Sequence, residues 1–209
     1  MKKTVTRAWE DARYAERYAA VCGVDEAGAG PLAGPVYAAA VILPPDAEIE
    51  GLNDSKKLSH KQRDRLYDEI VKAATAYAVA SVDAAEIDRI DVLNARMKAM
   101  QLAIDALPVP ADFALIDGNR DHGSLFAIRT AHETLVGGDG RCACIAAASV
   151  LAKVSRDRYC EEVMARDYPA YRFEKHKGYG TKLHYEMLDA YGPSPLHRVT
   201  FLKKWEAQR

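Results

Sequence analysis

The stretch Val21-Cys-Gly-Val-Asp25-Glu26-Ala-Gly28-Ala29-Gly30-Pro-Leu-Ala-Gly34-Pro-Val-Tyr-Ala-Ala-Ala-Val-Ile-Leu43 decides the fold. Its two apolar runs, residues 21–24 and 35–43, are rich in strand formers, and the second stops at Pro44-Pro45. Residues 28–34 between them carry three glycines, which predicts two adjacent strands, antiparallel to each other. An acidic pair, Asp25 and Glu26, stands where the first strand gives way to the glycine loop. Successive strand residues point to opposite faces, so both side chains serve one site only at a strand end or through a backbone contribution.

Outward from this hairpin the pattern alternates. A helix is predicted over 59–74, capped by Ser59, with Leu66, Ile70 and Ala73 at helical spacing. Residues 77–82 read as a strand. Ile87, Ile90, Leu93, Met97, Met100, Ile104 and Leu107 recur with a period near 3.6 and predict one or two helices over 85–107. Phe113-Ala-Leu-Ile116 reads as a short buried strand stopping at Asp117-Gly118. Cys142-Ala-Cys-Ile145 reads as strand-like or extended, residues 145–166 as a helix with a small-residue face, and residues 4–19 as an N-terminal helix. Short helices separated by Pro193 and Pro195 are expected over 180–209. Strands in succession, then strands alternating with helices, imply an α/β fold with a mixed sheet. Active groups in such sheets gather at strand ends and the adjoining loops.

The composition fits this picture. The chain has 209 residues, 49% hydrophobic and 28% charged, ample for a buried core. No apolar run approaches the roughly 20 residues of a membrane span. The charged, mixed opening lacks the apolar centre of a secretory signal, so a cytoplasmic protein is expected. Cys22, Cys142, Cys144 and Cys160 show no paired spacing of a zinc site and are expected to be reduced and buried. The net charge is only -1, but residues 1–140 carry 16 basic against 22 acidic side chains, and residues 141–209 carry 13 against 8. A basic half facing an acidic half suits a phosphate backbone held against a metal-binding carboxylate cluster; ordinary surface variation gives the same counts.

Taken singly, the candidate residues have ordinary explanations. Asp25-Glu26 fits an acid-rich turn. Asp117 follows a buried strand, where desolvation demands that a carboxylate be capping, paired or metal-bound. Asp139, in Gly137-Gly-Asp-Gly140, fits a plain turn. The loop from Gly28 to Gly34 leads into a strand without a following Gly-Lys-Ser/Thr, so it is neither a P-loop nor a dinucleotide fingerprint.

In combination they point further. Gly23-Val-Asp-Glu-Ala-Gly-Ala-Gly-Pro-Leu-Ala-Gly-Pro-Val36 closely resembles the opening signature of the ribonuclease HII family. The resemblance continues, in order, through Asn53-Asp-Ser-Lys-Lys-Leu-Ser59, Leu115-Ile-Asp-Gly-Asn119 and Gly138-Asp139. It resumes in Ile145-Ala-Ala-Ala-Ser-Val-Leu-Ala-Lys-Val-Ser-Arg-Asp157, His176-Lys-Gly-Tyr-Gly-Thr181 and Ser194-Pro-Leu-His-Arg198. It implies a ribonuclease H-like mixed sheet flanked by helices in one catalytic domain spanning 1–209, with an N-terminal helix over about 1–20 and a small C-terminal helical extension over about 180–209.

By position in these motifs, Asp25, Glu26, Asp117 and Asp139 match the family's four carboxylates, implying Mg²⁺ or Mn²⁺ as cofactor and two-metal phosphodiester cleavage. The implied partners are RNA–DNA hybrid duplexes and DNA containing ribonucleotides, met by a monomer with no membrane association. Nicking 5′ of the ribonucleotide would leave 3′-hydroxyl and 5′-phosphate ends. Gly28, Ala29, Gly30, Ser55, Lys56 and Tyr179 match substrate-contacting positions, with Tyr179 packing on the sugar at an RNA–DNA junction. One departure stands out: the family usually has Gly-Arg-Gly where this chain has Gly28-Ala29-Gly30. Backbone contacts survive that change and a guanidinium contact does not, so retained cleavage with weaker binding or looser junction preference is expected. Ribonuclease HIII, which typically adds an N-terminal substrate-binding domain, and a module that grips hybrids without cutting are the alternative readings.

Overall fold

A computed structural model describes residues 5–207. Its centre is a five-stranded sheet of β1 (Val21–Ala27), β2 (Val36–Ile42), β3 (Ala76–Val82), β4 (Phe113–Asp117) and β5 (His132–Leu135). The strand order is β3-β2-β1-β4-β5. The predicted hairpin is present: β1 pairs antiparallel with β2, and β2 with β3. The β1–β4 and β4–β5 pairs are parallel, so the sheet is mixed.

Helices cover both faces. On one side α3 (Ala84–Ile90) and α4 (Val92–Asp105) pack over Cys22, Val24 and Ile116. They divide at Asp91, whose φ of 66° interrupts the helix while its carboxylate accepts the Asn94 amide and caps α4. On the other side α2 (His60–Ala73) and α5 (Ala143–Tyr159) cover Val21, Ala39, Val41 and Leu115. Ser59 caps α2 as expected, in a reciprocal pair with Gln62. Contact between α5 and β1 is backbone to backbone: a Cβ on Gly23 would lie 2.2 Å from the Cys144 carbonyl carbon. Only glycine fits there.

Several sequence expectations need correction. Cys142-Ala-Cys-Ile145 is not a strand; Cys142 precedes the first turn of α5, and the sheet position beyond β4 belongs to β5. The open N-terminus of α5 is closed from a distance by buried Glu10 of α1 (Ala8–Ala15), which accepts the Cys144 amide at 2.9 Å. The helix expected over 145–166 starts earlier and widens into a π-helical turn at Cys160–Met164 before α6 (Ala165–Asp167). The N-terminal helix is shorter than expected: it starts at Ala8 and ends at Ala15, ahead of Arg17 with its φ of 75°; residues 1–4 lie outside the described residues. After α7 (Phe173–His176), the C-terminal part carries α8 (Lys182–Tyr191) and α9 (Val199–Glu206), and Gln208 and Arg209 lie outside the described residues. All four cysteines are free and buried. No helix among the described residues is long and apolar enough to cross a membrane.

Candidate active site

Strand pairing assembles the acids. Val24 stands opposite Ile116 in the β1–β4 ladder, which sets Asp25 beside Asp117 at the ends of two parallel strands. After β5, Gly137 turns with a φ of 65° into the short helical turn Gly138–Gly140. That turn returns Asp139 to the same place, where its amide donates to Asp117 Oδ1 at 3.2 Å. One carboxylate oxygen each from Asp25, Asp117 and Asp139 lies within 4.8 Å of the others. Asp25 and Asp139 are only 4% and 6% exposed.

The fourth acid diverges from this cluster. Alternation along β1 turns Asp25 toward α5 and Glu26 toward α4, where Arg96 Nη2 lies 2.6 Å from Glu26 Oε1. Glu26 Oε2 is buried and has no hydrogen-bond partner among the described residues.

Desolvation dominates the electrostatics. Burial, then the nearby charges of Glu26 and Asp117, pushes the Asp25 carboxyl well above its ordinary range. Burial also raises Glu26, against the opposing pull of Arg96. Asp117 is raised by burial and then by Asp139. Clustered carboxylates destabilised in their charged form, with one buried acceptor unpartnered, match what a hard divalent cation relieves. The donor set is all oxygen, which suits Mg²⁺ or Mn²⁺.

Around the acids stand polar and basic groups. Lys56, on the turn Ser55–Lys57, reaches Asp139 Oδ2 at 3.2 Å while its head stays exposed. Buried Ser55 and Ser149 share a hydrogen bond of 2.8 Å, and the Ser149 hydroxyl favours the charged form of Asp25, a smaller effect than its burial. Lys57 pairs with Asp54 instead of the cluster. Tyr179 is 42% exposed, with the Lys153 ammonium and the Arg156 guanidinium 5.9 and 5.7 Å from its ring centre. Gly28 has a φ of 92°, and a Cβ there would strike the Arg156 side chain, so the loop requires glycine.

The structure thus brings Asp25, Asp117, Asp139 and Lys56 together, leaves Glu26 half a turn aside, and places Ser55 behind the cluster. Arg96, Arg156 and Arg198 escaped the sequence reading as site residues. Arg156 and Arg198 lie inside motif blocks and are wholly buried, a state that burial of an unpaired charge normally forbids.

Comparison with known proteins agrees with this geometry. The family model described as Ribonuclease HII matches residues 22–204. A ribonuclease HII of Caldicellulosiruptor bescii is 51% identical over 188 residues, 90% of this chain and 89% of that protein. One of Idiomarina loihiensis is 54% identical over 181 residues, 87% of this chain and 94% of that protein. The crystal structure of the ribonuclease H2 from Pyrococcus horikoshii OT3 superposes with a TM-score of 0.73 at 24% identity, covering 91% of this chain and 98% of that one. That likeness shows the ribonuclease H-like fold. The chain belongs to the ribonuclease HII family, and it is a ribonuclease H, a metal-dependent endonuclease acting on RNA in RNA–DNA hybrids.

Proposed function

We propose that this endonuclease also nicks DNA on the 5′ side of single misincorporated ribonucleotides, leaving 3′-hydroxyl and 5′-phosphate ends, and that it works as a cytoplasmic monomer. The observation that carries the reading is the meeting of Asp25, Asp117 and Asp139 within 4.8 Å at the ends of parallel strands. These three would hold Mg²⁺ or Mn²⁺, with Glu26 offering its unpartnered Oε2. When bound, the ions make the attacking water more acidic and offset charge on the leaving 3′ oxygen.

The chain's own groups do the rest. Asp25 is fixed by the Glu26 amide at 2.7 Å, and Ser149, held by its hydrogen bond with Ser55, favours the charged form of the Asp25 carboxyl. Lys56 sets a positive charge where a phosphate approaches Asp139. Tyr179 offers an aromatic face to a sugar, and the amides of the Gly28–Gly30 loop offer donors to the junction. Four buried thiols suit a reducing compartment. A module that bound hybrids without cutting them would have no use for three mutually repelling acids, two of them buried.

The test is a DNA duplex containing one ribonucleotide, incubated with Mg²⁺ or Mn²⁺. A single nick is expected, absent in the Asp117→Asn variant; equal cutting by that variant would overturn the assignment.

A further inference from the structure

We propose that the adjacent residues His197 and Arg198 are positioning residues that hold the Gly28–Gly30 loop and the Tyr179 loop in register, and thereby set selectivity for a ribonucleotide embedded in DNA. This rests on the reading of those two loops as the substrate contacts.

Arg198 holds the first loop. Its guanidinium is wholly buried and faces backbone carbonyls: Nη2 donates to Gly28 at 2.6 Å, Nη1 to Ala29 at 2.8 Å, and Nε and Nη2 to Gly34 at 3.0 and 2.8 Å. Two consecutive carbonyls therefore point at one cation. In a planar trans peptide the N–H points opposite to the C=O. The amides of Ala29 and Gly30 consequently point away from Arg198, and neither has a backbone acceptor among the described residues. Two successive outward donors form an anion- and hydroxyl-binding concavity. Arg198 thus presents the backbone recognition surface that must act alone here, where residue 29 has no guanidinium.

His197 holds the second loop through a one-way relay. The Ser194 amide lies 2.9 Å from His197 Nδ1, and an amide only donates, so that nitrogen accepts and the ring proton sits on Nε2. His197 Nε2 is 2.9 Å from His184 Nε2, which must then accept. The His184 proton is left on Nδ1, which donates to the Tyr179 carbonyl at 3.0 Å. The relay exists only while both rings are neutral, and burial depresses both, to about 4 each. His176 stacks on His184 with centroids 4.2 Å apart. It accepts the Gly178 amide and donates to the Tyr171 carbonyl, fixing the same loop one residue earlier.

The two loops are also joined at their backs. His197 bridges Ala33, the Arg198 amide donates to Leu32, and Leu32 donates to Gly178. Arg156 spans both loops, donating to Ala33 and Lys177. None of these bonds ends on Asp25, Asp117 or Asp139, so their loss acts on recognition before chemistry.

The experiment compares wild type, His197→Phe and Arg198→Lys on two substrates, a DNA duplex with one ribonucleotide and a full RNA–DNA hybrid. Phe keeps the ring without its nitrogens, and Lys keeps the charge without the fork. On the single-ribonucleotide duplex KM should rise about tenfold, the scale of one lost hydrogen bond, with a smaller fall in kcat. The hybrid, with a 2′-hydroxyl at every RNA position, should be affected less. Equal changes on both substrates, or none, would overturn the proposal. Wild type cutting the hybrid but not the single-ribonucleotide duplex would instead sink the functional reading beneath it. Should the variants fail to fold, nitrogen NMR of wild-type histidines between about pH 6 and 7 decides, where an unperturbed histidine titrates. Protons on Nδ1 of His184 and on Nε2 of His176 and His197 are expected, and any other tautomer set refutes the relay.

Discussion

The Arg96 guanidinium lies 2.6 Å from one carboxylate oxygen of Glu26 and leaves the other buried without a hydrogen-bond partner among the described residues. Glu26 thus has a dedicated counter-charge on α4, whereas Asp25, its neighbour in sequence, shares a pocket of acids. The alternation of β1 divides an adjacent pair into two electrostatic roles.

Arg96 is the largest influence lowering the Glu26 carboxyl against its burial. Removing it in Arg96→Met raises that carboxyl further, so Glu26 stays protonated to higher pH. The acidic limb of the activity–pH profile should move upward by about one unit, equivalent to about 1.4 kcal/mol. A profile superimposable on wild type would contradict the role given to Arg96.

Asp25→Asn and Asp117→Asn keep the shape and remove the charge. Cleavage should fall by on the order of a thousandfold or more, as interactions worth several kcal/mol are lost, while circular dichroism stays native. Saturating Mn²⁺ should stabilise wild type by about 2.7 kcal/mol at a hundred times the Kd, seen as a rise in melting temperature, and should stabilise neither variant. Cutting or Mn²⁺ stabilisation retained in both would remove the acids from the site.

Much of this was legible in the sequence. The β1–β2 hairpin, the capped α2 and the strand ending in Asp117 follow from local pattern, because each buries one face or ends at a chemical stop. Asp139 was not legible alone, since Gly137-Gly-Asp-Gly140 matches any glycine turn until the sheet returns it to Asp117. The strand β5 was missed because of its four residues only Leu135 is buried. Cys142-Ala-Cys misled because α5 is buried nearly all round, and a helix without a polar face shows no helical period. Glu26–Arg96 and His184–His197 meet only in the folded chain, and no spacing in the sequence announces them.

The histidine relay makes stability depend on pH. The unfolded chain takes up protons near the usual 6.5, whereas folded His184 and His197 wait until about 4. Stability is therefore full above the unfolded value and falls as pH drops toward about 4, by up to about 1.4 kcal/mol per pH unit for each ring. The raised carboxylates act with the opposite sign, so the informative quantity is the difference between wild type and His197→Phe in denaturant titrations at pH 7, 6 and 5, values within about the window of histidine titration. The variant should show the shallower acid loss; identical slopes would refute it.

Ala29 marks the departure from the family pattern, and Arg198 holds the Ala29 carbonyl at 2.8 Å. Ala29→Arg should tighten binding of a single-ribonucleotide duplex and sharpen its junction preference, by the 1.5–3 kcal/mol scale (about tenfold or more) of a charged hydrogen bond. Affinity and selectivity equal to wild type would show that the backbone alone suffices.

The most direct test of the account is the chemistry of the ends. A DNA duplex with one ribonucleotide, cut in Mg²⁺ or Mn²⁺, should yield a single nick on the 5′ side of the ribonucleotide, with a 3′-hydroxyl on one fragment and a 5′-phosphate on the other. A nick on the 3′ side, or a 2′,3′-cyclic phosphate end, would contradict it.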